Sequence, residues 1–157
     1  MAINCNEKDF QSRASVFVVR VQLALREQNM IAISAKELID AMTSTGRVAL
    51  YGIFFDTAKA DIKPESKAAV TEIANLMKSQ PQLKLHVVGH TDSQGSIDSN
   101  FDLSKRRALA IKAALASQYG VAETRTPAHG VAHLAPVASN SDDAGRAKNR
   151  RVELVPF

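Results

Sequence analysis

Apolar and polar positions along this chain switch between two periods, and each switch marks an element. The run SVFVVRVQLAL at 15–25 is rich in valine and predicts a strand. A turn over 26–29 separates it from a short second strand at 30–33. Ser34 stands three residues before Glu37, the spacing at which a serine caps a helix and the glutamate reaches back to the serine's own N–H. Leu38, Ile39 and Met42 give that helix an apolar stripe, and Gly46 ends it. Residues 47–55 are apolar on both faces, the pattern of a strand central in a sheet. After a loop over 56–63, Pro64 sits where a helix's first N–H needs no partner. That helix is expected to reach Ser79 with Ala68, Val70, Ile73, Ala74 and Met77 inward, before Pro81 breaks it. A buried strand follows at 83–88 and stops at Gly89. The polar loop after it carries Asp92, Gly95, Asp98 and Asn100. The next helix is expected over 103–119, with Ala108, Ile111, Ala114 and Leu115 buried and Gly120 at its C-cap. A short extended piece at 125–130, a loop over 133–144, a helical turn at 145–149 and a last strand at 151–155 complete the chain.

This order implies a two-layer α/β sandwich, with a βαβαβ core and two helices on one face of a mixed sheet. Residues 1–46 read as a strand–helix extension, the end of a preceding domain, and residues 47–157 as the main domain.

Composition narrows the picture only a little. A chain of 157 residues suits one domain with appendages, and 45% hydrophobic residues can build its core. No apolar run reaches the roughly eighteen residues that span a bilayer. The opening MAINCNEKDFQSR has no apolar centre of a secretory signal. A domain working outside the cytoplasm is therefore expected to belong to a longer chain or to lack its export segment. One cysteine, Cys5, excludes an internal disulfide. The net charge of +4, with Arg146, Lys148, Arg150 and Arg151 clustered late, suits nucleic acid, an anionic polymer such as a cell wall, or a merely solvated basic surface.

The chemistry concentrates after the strand at 83–88. Asp92 follows the strand end, and Arg107 lies on the next helix, so both can face the crevice at the strand's C-terminal end. One carboxylate and one guanidinium suit a zwitterionic amino-acid group: its ammonium donates to the first, its carboxylate accepts two parallel bonds from the second. The alternative is that Asp92 caps its own loop or pairs with Arg107. Four histidines, His86, His90, His129 and His133, are present, but they share no helix face and no cysteine cluster joins them, so no metal site is expected. His90 is expected to brace the loop through its ring nitrogens. Ser93, Ser96 and Ser104 lack a GxSxG elbow. Glycoside hydrolysis needs a protected carboxylic acid, which Asp92 beside Arg107 does not offer.

GHTD at 89–92, Gly95, Asn100 and LSKRRA at 103–108 together resemble the OmpA C-terminal-like peptidoglycan-binding domain family. YGIFFDTAKADIKPES at 51–66, PVASN at 136–140 and GRAKNRRVEL at 145–154 extend the resemblance from Val48 to Val155. The resemblance implies the same fold. It also implies recognition of diaminopimelate in the peptidoglycan stem peptide, with Asp92 on the ammonium and Arg107 on the carboxylate. By the same resemblance Phe55, Asp56 and Thr57 wall the pocket, Leu103 meets the ligand's methylene chain, and Arg150 adds a second cation. Asn100 orients the loop or touches the ligand. Arg151 alternates to the other side of the strand and braces the fold. Ala58 departs from the polar residue that many members carry.

The expectation is a non-catalytic module that anchors an envelope protein to the cell wall at the periplasmic face, associated with the outer membrane. No cofactor and no nucleic-acid partner are expected, and pairing of two copies as a homodimer is left open. A wall-modifying hydrolase and a basic nucleic-acid binder are the alternatives.

Overall fold

The computed structural model describes residues 34–157; the strands expected at 15–25 and 30–33 lie outside the described residues. Helix α1 (Ala35–Thr45) begins with both halves of the expected capping box: Glu37 N–H donates to Ser34 Oγ at 3.4 Å, and Ser34 N–H donates to the Glu37 carboxylate at 3.0 Å. It ends at Gly46, whose φ of 74° is the left-handed conformation a C-cap requires. Its inner residues, Leu38 and Met42, join the main hydrophobic core, and Ala35 N–H donates to Glu72 on the following helix.

Strand β1 (Val48–Leu50) is three residues long. The expectation of a central strand over 47–55 is corrected, because among the described residues β1 is three residues long, lies at the sheet edge and pairs only with the last strand. The apolar run beyond it leaves the ladder. Ile53 enters the core and Phe54 turns 46% exposed. Phe54 N–H is taken by Ser66 Oγ at 2.8 Å, and Phe55 bridges Ile62 across a loop. A continuous apolar run thus serves three surroundings rather than two faces of one sheet.

A 3₁₀ turn at Pro64–Ser66 leads into α2 (Lys67–Ser79). Ala69, Val70, Ile73, Ala74, Leu76 and Met77 point inward, so Ala69 takes the place expected of Ala68, which is exposed. The end of α2 and the turn after it are held from a distance: the Arg125 guanidinium donates to Met77 O, Gln80 O and Leu83 O at 2.7–3.0 Å.

Strand β2 (Leu85–Gly89) alternates buried Leu85, Val87 and Gly89 with half-buried His86 and Val88. Helix α3 (Ile97–Tyr119) starts six residues before the expected position, so Asp98 and Asn100 are helical. Its N-cap is Ser96, whose Oγ accepts Ser99 N–H, and Gly120 ends it in the left-handed conformation. After a 3₁₀ turn at Glu123–Arg125 comes β3 (Ala128–Gly130), then α4 (Asp143–Asn149) and β4 (Val152–Pro156).

The sheet order is β1-β4-β2-β3, with β4 antiparallel to both neighbours and β2 parallel to β3. This is the mixed sheet expected. Ile73, Leu76 and Met77 of α2 and Ile111 and Leu115 of α3 meet Leu85, Val87, Val152 and Leu154 of the sheet, all at 1% exposure or less. Helix α3 approaches β2 and β3 to backbone contact: a Cβ on Gly89 would collide with the Ser104 carbonyl, and one on Gly130 with Lys105 N. Ser104 Oγ then accepts Ala132 N–H at 3.1 Å. This close seat fixes the direction of the helix one turn before Arg107.

Candidate functional site

The candidate site lies where β2 ends. Past Gly89 the chain stays pinned on both sides, since His90 N–H donates to Arg151 O and Thr91 N–H to Ala132 O, each at 3.0 Å. Asp92, 7% exposed, therefore leaves a fixed backbone. Its Oδ1 accepts Gln94 N–H at 3.1 Å, an Asx turn that shapes the loop. Gly95 supplies the positive φ of 86° and Asn100 Nδ2 donates to Gln94 O at 2.8 Å. Asn100 is buried and serves the loop in this way, with His133 Nδ1 3.3 Å from the same nitrogen.

A second tie comes from residues that the sequence reading gave no role. Asn149, fully buried, accepts Val137 and Ala138 N–H and donates to Ala138 O and Asn140 Oδ1. Asn140 Oδ1 in turn accepts Ser93 N–H at 3.2 Å. The Asp92 loop is thus fastened to α4 through two amides. A lone asparagine in a basic stretch carries no signal for this, because every partner is on another element.

Arg107 is buried at 7% exposure on the face of α3 toward the loop at 56–59. Its Nε donates to Lys59 O at 3.1 Å and its Nη2 to Asp56 O at 3.3 Å. The guanidinium carbon stands 5.0 Å from the centre of the Phe55 ring, within cation–π range. Burial lowers its pKa from the ordinary value; the Asp92 charge opposes this, and Arg150 and Arg106 add to it. Nη1 remains uncommitted among the described residues.

The Asp92 charge acts on Arg107, but no direct ion pair joins the two. Asp92 Oδ2 instead accepts Arg150 Nη1 at 2.6 Å. Leu103 is half-buried one turn before Arg107 on α3. Asp56 reaches the site through its carbonyl; its carboxylate is exposed and turned to Lys63 at 2.8 Å and Lys59 at 3.8 Å. The Lys63 hydrogen bond and charge hold that carboxyl below its ordinary pKa. Thr57 and Ala58 are the exposed tip of this turn, and Ala58 adopts φ 57°.

The residues beside the site on the sheet face away from α2 and α3 are buried and braced by charge. Arg151 is 3% exposed and gives Nε and Nη2 to Glu153 Oε1 at 2.8 and 2.7 Å, the structural role expected of it. Glu153 Oε2 also meets Arg47 at 3.2 Å. Glu153 is the functional neighbour whose signal in the sequence is its spacing of two from Arg151, which puts both on one face of the chain. His90 is corrected: neither ring nitrogen makes a hydrogen bond, and Nε2 lies 3.5 Å from Glu153 Oε2. Burial and the Arg151 charge push its pKa down to about 4. His86 Nδ1 and His129 Nε2 contact each other at 3.0 Å. Among the described residues no three His, Cys, Asp or Glu side chains are grouped to hold a metal ion, and no helix is long and apolar enough to cross a membrane.

The OmpA family model matches residues 54–150. The chain is 39% identical over 103 residues to the probable lipoprotein YiaD of Escherichia coli (strain K12), covering 66% of this chain and 47% of that protein. It is 43% identical over 99 residues to outer membrane porin F of Pseudomonas aeruginosa, covering 63% of this chain and 28% of that protein. The chain therefore spans less than half the length of these curated relatives. Among solved structures it superposes on the peptidoglycan-associated lipoprotein from Burkholderia pseudomallei with a TM-score of 0.62 and 32% identity, over 67% of this chain and 88% of that one.

Proposed function

The chain belongs to the OmpA family, and on that premise we propose that it is a non-catalytic peptidoglycan-binding module which anchors an envelope protein to the cell wall. The ligand proposed is diaminopimelate of the stem peptide. The observation that carries this reading is a nearly buried carboxylate, Asp92, whose charge acts on a buried guanidinium, Arg107, with Nη1 uncommitted among the described residues. An amino-acid centre presents one ammonium and one carboxylate, and the crevice offers one counter-charge for each. Asp92 takes the ammonium and Arg107 the carboxylate, with Arg150 as second cation. Phe55 and the carbonyls of Asp56 and Lys59 hold the Arg107 plane in place, so the fork is oriented before the ligand arrives. Leu103, half-buried beside Arg107, lines the path of the ligand's methylene chain.

The similarity to an outer membrane porin and to a peptidoglycan-associated lipoprotein supports a place at the periplasmic face, in a protein associated with the outer membrane. Sedimentation with purified peptidoglycan sacculi tests the reading. The chain is expected to pellet with sacculi and to be released by free diaminopimelate; a chain that stays in the supernatant refutes it.

A further inference from the structure

Asp92 already has a cation. Arg150 Nη1 is held on Asp92 Oδ2 at 2.6 Å, while Gln94 N–H uses Oδ1. The two partners are unequal, since the Asp92 side chain is 10% exposed and that of Arg150 45%. The backbone on either side of Arg150 is fixed: Asn149 is fully buried, Arg151 is 3% exposed, and Arg150 N–H donates to Arg146 O. The Arg150 side chain can therefore swing off Asp92 without any shift of the main chain.

We propose that Arg150 determines specificity by acting as an internal counter-ion on Asp92, so that an ammonium is admitted only when it brings a carboxylate with it. This deepens the function proposed above and rests on it. A plain amine that displaced Arg150 would exchange one ion pair for another. It would also leave three cations, its own and those of Arg107 and Arg150, around the single Asp92 charge. Like charges gathered at a half-dry site are disfavoured. A zwitterionic centre avoids this: its ammonium replaces Arg150 on Asp92, and its carboxylate accepts from the released guanidinium and from Arg107 Nη1. Without Arg150, Asp92 would be a general amine site. With it, the site discriminates amino-acid centres from amines of the same reach by setting a repulsive charge against the wrong ligand.

The test is calorimetry on the full chain with diaminopimelate and with cadaverine, a diamine of similar length without carboxylates. Wild type is expected to prefer diaminopimelate. Arg150→Ala is expected to bind cadaverine about fivefold more tightly, the fold-change equivalent of an ion pair with one half-exposed partner, and diaminopimelate more weakly. The preference therefore shrinks by more than that factor. Arg150→Gln, close in size and uncharged, is expected to behave as Arg150→Ala, which separates charge from packing. A preference unchanged in both variants, with wild type binding diaminopimelate, overturns the role of Arg150 alone. A wild type that binds neither probe overturns the proposed pocket and this inference with it.

Discussion

Arg107 joins the site to the fold, so its replacement tests both at once. Arg107→Ala deletes two charged hydrogen bonds to backbone carbonyls and a cation–π contact with Phe55. Hydrogen bonds to charged groups are each worth about 1.5–3 kcal/mol, but the neutral carbonyls of Lys59 and Asp56 lie beside an exposed turn and can rehydrate. A loss of about 2–3 kcal/mol of stability is therefore expected, read as a lower midpoint in urea. The domain remains folded at room temperature, because none of the aliphatic core is touched. Binding suffers more. Truncating one partner of a buried charge pair costs about 2–5 kcal/mol, so diaminopimelate affinity falls by at least about thirtyfold. Arg107→Lys keeps the charge and separates the two effects. An ammonium is a compact point donor without the planar fork that spans Lys59 O, Asp56 O and a bidentate carboxylate, so binding is still lost at least in large part. Calorimetry with diaminopimelate, at a temperature where both variants are folded by circular dichroism, gives the decision. A folded Arg107→Ala protein that binds as wild type does would refute the assignment of the carboxylate to Arg107.

The remaining predictions concern the scaffold around the crevice. Ala58→Gly relieves a left-handed alanine at φ 57° and should raise stability by up to about 1 kcal/mol, seen as a higher urea midpoint; a lower midpoint would mean that the alanine methyl packs usefully. Asn149→Ala removes an amide whose oxygen accepts two N–H groups and whose nitrogen donates to two oxygens. A loss of about 2–4 kcal/mol is expected, together with faster amide exchange at Ser93. His90 titrates near 4 in the folded state against about 6.5 unfolded, so the unfolded chain binds the extra proton. Its contribution is complete above about pH 6.5 and is lost as pH falls toward 4, costing about 2 kcal/mol between about pH 7.5 and about pH 5. His90→Gln should flatten that part of a urea-midpoint series, and a variant that keeps the full slope would assign it to other groups.

What the sequence disclosed and what it hid divide along one physical line. Helix caps and apolar periods are local, so the Ser34–Glu37 box, the stop at Gly46 and the Gly120 cap could be read from a few residues. Arg151 and Arg150 point to different surroundings, though both precede β4: the former is 3% exposed against Glu153, the latter, at the C-cap of α4, faces Asp92. Errors arose where a local pattern had two solutions. The apolar run at 47–55 could be a long strand or a short one followed by a bend, and the bend is decided by Ser66, twelve residues away. The start of α3 is hard to read because Ile97 and Phe101, though four apart, sit among polar loop-like residues and stay exposed, while Ser96 caps the helix regardless. The ion pairing at the site was the least legible feature. Asp92 had two arginines to choose from, 15 and 58 residues away. Nothing in the chain's order says that the nearer one is already held by the carbonyls at 56 and 59. That choice gives the crevice its character. Arg107 sits in a carbonyl clamp and Arg150 on the Asp92 carboxylate, an asymmetry that neither arginine's position in the sequence expresses.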